Sequence, residues 1–195
     1  ALDSVGAPVR IAADDGTITY INHALRDVLV RDRHAFSVQI PGFDPDKVLG
    51  GSLGMFYAEP QAALARLRTL TGTAHSQLVL GGHTYNLTTT AVVSSSGERL
   101  GTVGQWTDVT SQLQTERQID NLVQAAAQGD FSQRVDVSDQ QGFFKSLGEG
   151  MNQLMDTSER GLNDVAALLE SFAAGDLTQR IERDYQGLFG QVKDS

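Results

Sequence analysis

Two different rhythms of apolar and polar residues run along this chain, and the change between them falls near residue 110. Before it, short alternating runs dominate. "PVRIAADDGTITYIN" predicts two strands, over residues 8–13 and 17–21, joined at Asp14-Asp15-Gly16, residue types that favour tight turns. Asn22 occupies an N-cap position ahead of the helical stretch "HALRDVLV". In "EPQAALARLRTL", Pro60 suits a first helical turn, and Leu64, Leu67 and Leu70 are spaced for one face. "HSQLVLGGHTYNLTTTAVV" predicts a hairpin turning at Gly81-Gly82, which pairs residue 80 with 83, 78 with 85 and 76 with 87. "LGTVGQWTDVT" closes the half as a last strand. The expected fold is an α+β domain whose antiparallel sheet faces its helices.

After residue 110 the spacing becomes helical. Positions 144, 147, 151, 154, 158, 161, 165, 168 and 172 follow a 3,4 rhythm, and seven of these nine are apolar. So narrow a seam fits a helix lying against partner helices, with too little other sequence nearby to cover it. A dimer is therefore expected. The two exceptions, Ser158 and Gly161, predict a loosely packed segment at the centre.

The second half also repeats itself. "AAQGDFSQRV" at 126–135 returns as "AAGDLTQRI" at 173–181, with Gly129 and Gly175 46 positions apart. A repeat of this length is one supersecondary unit used twice. In each copy a helix ends at glycine, where a left-handed residue closes it. A connector then presents two apolar residues four apart, Phe131 and Val135 in one copy and Leu177 and Ile181 in the other. A new helix starts after Gln-Gly, as "QGFF" at 141–144 and "QGLF" at 186–189. The pattern resembles the HAMP domain, a parallel four-helix signal relay of bacterial receptors, in its concatenated form. "GMNQLM" at 150–155 is similar to that family's second-helix pattern. The usual Asp-Glu at the start of the second helix is replaced by Gly142-Phe143 and Gly187-Leu188, a departure that bears on the standard account of signalling by that acidic pair and leaves the architecture unaffected.

Residues 1–110 resemble a PAS domain, the five-stranded α+β sensor module, through "DDG" before "ITYIN", Trp106 on the final strand and the ending "WTDVT". The resemblance implies a junction at Asp108 and Thr110, where the last strand passes motion to an output helix. Asp108 there can accept bonds from backbone amides, which also describes a simple cap. A PAS domain over 1–110, a HAMP unit over 111–157 and a second, incomplete unit over 158–195 together resemble the input end of a soluble, aerotaxis-type methyl-accepting chemotaxis receptor. That resemblance implies a cytoplasmic homodimer acting on a histidine kinase and coupling protein through regions beyond Ser195. The same modules also precede histidine kinase and diguanylate cyclase outputs.

Charge and composition narrow the partners. The formal net charge of -9, without any basic run, argues against nucleic-acid binding. Cysteine is absent, which excludes disulfides and thiolate metal sites. No apolar stretch approaches the roughly 18 to 20 residues of a membrane span, no His or carboxylate set has metal spacing, and no nucleophile, phosphate loop or flavin fingerprint points to an enzyme. A candidate ligand pocket comprises Phe56, Tyr57, Leu78, Tyr85, Leu87 and Trp106, residues that read equally well as core. In haem-binding relatives of this architecture, a His in a "GxxxF…P" stretch carries the iron and a Trp on the last strand faces bound oxygen. Here the stretch is "GSLGMFYAEPQAALARL", Trp106 fits the second role, and Tyr57 stands at the ligand position. Tyrosine is a rarer haem ligand that must lose its proton. The cofactor expectation is accordingly none or unknown, with a haem gas sensor as the alternative.

Overall fold

The computed structural model describes residues 6–194; residues 1–5 of the first expected domain and Ser195 of the last lie outside them. The chain divides into two compact units between residues 110 and 111.

The first unit runs β1 (Val9–Ala13), β2 (Ile18–Ile21), α1 (His23–Arg31), α2 (Arg33–Gln39), α3 (Pro60–Thr69), β3 (Thr73–Leu80), β4 (His83–Val93) and β5 (Arg99–Asp108), with two short 3-10 turns before α3. Its five antiparallel strands lie in the order β2-β1-β5-β4-β3. This is the α+β architecture expected of a PAS domain. Asn22 caps α1 as anticipated, its Oδ1 accepting from the Leu25 amide at 3.0 Å and from the Val9 amide at 2.9 Å. The hairpin takes the expected register, Leu80 opposite His83 and Leu78 opposite Tyr85. Helices and inner sheet face close over Leu25, Leu29, Phe36, Phe56, Tyr85 and Trp106. The Phe56 and Trp106 rings meet edge to face at 5.1 Å, a favoured aromatic geometry.

The second unit contains α4 (Thr110–Ala127), the 32-residue α5 (Gly142–Ala173) and α6 (Gly187–Asp194). Both connectors begin alike. Gly129 and Gly175 have φ of +86° and +87°, and each ends its helix with paired backbone bonds, Asp130 to Ala125 with Gly129 to Ala126, and Asp176 to Ser171 with Gly175 to Phe172. Leu122, Val135 and Met155 form a small buried cluster, joined by Phe131 and Met151.

Gly161 is not loosely packed: the Phe189 ring lies where its side chain would be, so an added Cβ would fall 2.6 Å from that ring. Leu177 on the second connector is 76% exposed. Its counterpart Phe131 packs against the cluster of Leu122, Val135 and Met155. Met155, next to the 3,4 series, turns into the protomer. Leu154 is 57% exposed, in company with Leu162, Leu169 and Phe172 on the same helix.

Candidate functional site

At the end of β5 the chain turns into α4 through a closed set of hydrogen bonds. Asp108 Oδ1 accepts from the Thr110 amide at 3.0 Å and from its hydroxyl at 2.6 Å. Thr110 Oγ1 accepts in turn from the Thr84 amide at 2.9 Å, and the Val109 amide donates to the Thr84 carbonyl. The second carboxylate oxygen of Asp108 lies 2.9 Å from Nδ1 of His83, whose ring stacks on Tyr85. Burial pushes the Asp108 carboxyl up, but the bonds from Thr110 and His83 outweigh it and hold the group below the usual carboxylate range. His83 is thus a member of the corner. So is Asp32, between α1 and α2, whose carboxylate lies 3.9 Å from His83 Nε2.

The six candidate pocket residues come together on the inner face of the sheet. Phe56, Leu78, Tyr85, Leu87 and Trp106 are buried against one another and fill the interior. Tyr57 borders a cavity of about 300 Å³ between α3 and strands β3 and β4. Arg66 and Leu67 of α3 form one wall, and Ser76, Gln77 and Thr89 form the sheet side. Burial pushes the Tyr57 phenol up, against the pull of Arg10 and Arg66.

Sequence reading passes over Arg10. It is 3% exposed, on β1, and its Nη1 donates to the carbonyl and hydroxyl of Thr102 at 3.0 and 2.5 Å. Its Nε has no hydrogen-bond partner. The available signal is the period-two alternation that places Arg10 on the same face as buried Ala12. Asn152, inside "GMNQLM", fits a sequence pattern that does not disclose its role: its side chain holds both backbone groups of Val135, accepting from the amide at 2.7 Å and donating to the carbonyl at 2.9 Å.

The two connectors share side-chain bonding as well as backbone. Asp130 accepts from Ser132 N, Ser132 Oγ and Gln133 Nε2; Asp176 accepts from Thr178 N, Thr178 Oγ1 and Gln179 Nε2.

Comparisons with known proteins agree with this arrangement. Residues 139–195 match the HAMP domain family. All of the chain aligns, over 194 residues at 44% identity, with the methyl-accepting chemotaxis protein McpB of Pseudomonas aeruginosa, of whose length it spans 29%. The resemblance to a PAS–HAMP sensory region of a methyl-accepting chemotaxis receptor is thereby borne out. Among solved structures, the Aer2 receptor from Vibrio cholerae, described as a dual PAS-haem oxygen sensor, is 26% identical, covering 56% of this chain and all of that one with a TM-score of 0.49. The PAS domain of Bordetella pertussis BvgS is 22% identical, covering 62% of this chain and 88% of that one with a TM-score of 0.37.

The donor set does not fit a haem iron. Neither histidine nor cysteine borders the cavity among the described residues, and Tyr57, the one group there of ligand type, is held in its neutral phenol form by burial. The interior in front of Trp106 is occupied by Phe56 and Tyr85.

Proposed function

We propose that this chain is the input and relay segment of a chemoreceptor, in which a PAS domain working without haem biases a dimeric pair of HAMP units and carries out no catalysis itself. The observation that carries this reading is the 44% identity to a methyl-accepting chemotaxis protein, in an alignment that spans both units and their junction. The matching Asx turns and helix ends of the two connectors support two HAMP copies, over 111–157 and 158–195. The exposed leucines of α5 support a homodimer, because an apolar row left in water by one protomer is covered by a second. Asp108 and Thr110 are the coupling residues: they tie the end of β5 to the first residue of α4 and to Thr84 on the neighbouring strand. Beyond this chain, the output is a histidine kinase reached through a coupling protein.

The test is a chimera in which residues 1–195 replace the corresponding segment of McpB, with kinase output and oligomeric state measured together. The chimera is expected to be dimeric and to control the kinase. Leu154→Asp is expected to leave the protomer folded, since Leu154 is exposed there, while weakening the dimer and abolishing control, because an unpaired charge would be buried on association. A strictly monomeric, folded chain, or kinase output indifferent to Leu154→Asp, would overturn the proposal.

A further inference from the structure

Arg10 is a buried cation without an anion. Its guanidinium lies over Gly104, whose Cβ, were there one, would fall 2.6 Å from Nε. None of the ion pairs among the described residues includes it, and burial depresses its pKa to about 10. A buried, partly unsatisfied charge is expensive, and natural cores rarely keep one without a use.

Its position relative to the cavity supplies that use. In register across the sheet, Arg10 pairs with Gly104, Gly104 with Thr89 and Thr89 with Ala74. Thr89 and Ala74 both line the cavity. The guanidinium therefore sits about one strand spacing, roughly 4.8 Å, from the cavity floor. Tyr57 is common to both, bordering the cavity and lying within the electrostatic reach of Arg10. Arg66 adds a second positive charge to the wall. In a chain of net charge -9, none of the nine lining residues is acidic.

We propose that this cavity binds a small organic carboxylate, whose oxygens approach the Arg10 guanidinium beside Tyr57. The proposal rests on the sensing role given above and names the class of its stimulus. Arg66 draws the anion in, the guanidinium fork supplies directional bonds to it, and Leu67 and Ala63 cover its carbon skeleton.

Calorimetric melting of the whole chain with sodium benzoate, butyrate and succinate, against benzamide and matched sodium chloride, tests this. At least one carboxylate is expected to raise the melting midpoint in a saturable way, with no shift from benzamide or chloride. Arg10→Met is expected to remove that response while melting no lower than the parent, because an unpaired buried charge gives way to an apolar side chain of similar length. Arg10→Lys, which keeps the charge and loses the fork, is expected to weaken binding by about tenfold. Carboxylates no better than chloride, an equal shift from benzamide, or an undiminished response in Arg10→Lys would each overturn the proposal. A chimera that controls the kinase while no carboxylate binds would sink this inference alone; carboxylate binding in a chimera without kinase control would sink only the relay reading.

Discussion

Asn152 on α5 hydrogen-bonds both the amide and the carbonyl of Val135, as a strand neighbour would, and so fastens an irregular connector to a helix. Val135 is 3% exposed, which leaves its backbone groups little access to water. Asn152→Leu is expected to strand both groups and to destabilise the helical unit by about 1 to 3 kcal/mol per unsatisfied group. Denaturant unfolding of the two variants Asn152→Leu and Asn152→Asp checks this. The aspartate keeps an acceptor for the Val135 amide and is expected to lose less.

Gly161 accommodates the Phe189 ring at a separation that excludes even a methyl group. Gly161→Ala gains about 1 kcal/mol of helix propensity, but overpacking costs about 1 to 3 kcal/mol. A net loss is expected. Phe189→Leu in the same chain is expected to recover most of it, and a double-mutant cycle on melting temperature measures the coupling. Additive effects would show that the ring does not sit over Gly161.

Asp108→Ala removes the acceptor for both Thr110 groups and the partner of His83. A lost cap-like bond costs on the order of 1 kcal/mol, small beside a domain stability of about 5 to 15 kcal/mol but comparable to coupling free energies of roughly 1 to 3 kcal/mol. The variant is expected to fold and dimerise, yet to lose most stimulus response in the full-length receptor. Kinase output measured beside thermal melting separates the two effects; a normal response would remove Asp108 from the coupling.

Tyr57 stands where the resemblance places a haem-ligating histidine. The unmodified chain, expressed with excess haem, is expected to show no stoichiometric Soret absorption. Tyr57→His is expected to raise occupancy by supplying an imidazole that needs no deprotonation. A full Soret band lost on Tyr57→Phe would reverse the assignment.

The connectors respond to acid in a definite direction. Asp130 is held below the usual carboxyl value chiefly by the Ser132 hydroxyl, Asp136 by the Ser138 amide and Asp176 by the Thr178 hydroxyl. A depressed folded value means that their stabilisation is complete above the unfolded carboxyl pKa of about 3.9 and is lost as pH falls through the lower folded values. Carboxyl carbon shifts followed by NMR from about pH 6 to about pH 2 are expected to give midpoints under roughly 3.9 for all three. Midpoints at or above that value would contradict the turn geometry.

Local chemistry made much of this legible in advance. Gly81-Gly82 fixes a two-residue turn, and a two-residue turn fixes which residues face each other on β3 and β4. Gly129 and Gly175 announce helix ends because few other residues accept their backbone conformation. What the sequence did not disclose depends on partners distant along the chain. Arg10 becomes an unpaired charge only because Gly104, on a strand that arrives much later, leaves room for it. Gly161 reads as a gap until Phe189 returns from the second connector to fill it. His83 joins the corner only because Asp108 and Asp32 are brought to its ring from elsewhere in the chain.

The unbroken run of α5 sets the phase between the two connectors. It runs from the end of the first connector to the start of the second, over 32 residues or about 48 Å. The helix is continuous from Met155 through Gly161, so the two positions keep a fixed helical phase. Adding one residue between them would swing the Phe189 seat by about 100° relative to the Val135 cluster and lift it by about 1.5 Å. Adding seven would return it to within about 20°. The length of α5 is in this sense a gear ratio, one that a single inserted residue spoils and a whole heptad nearly restores.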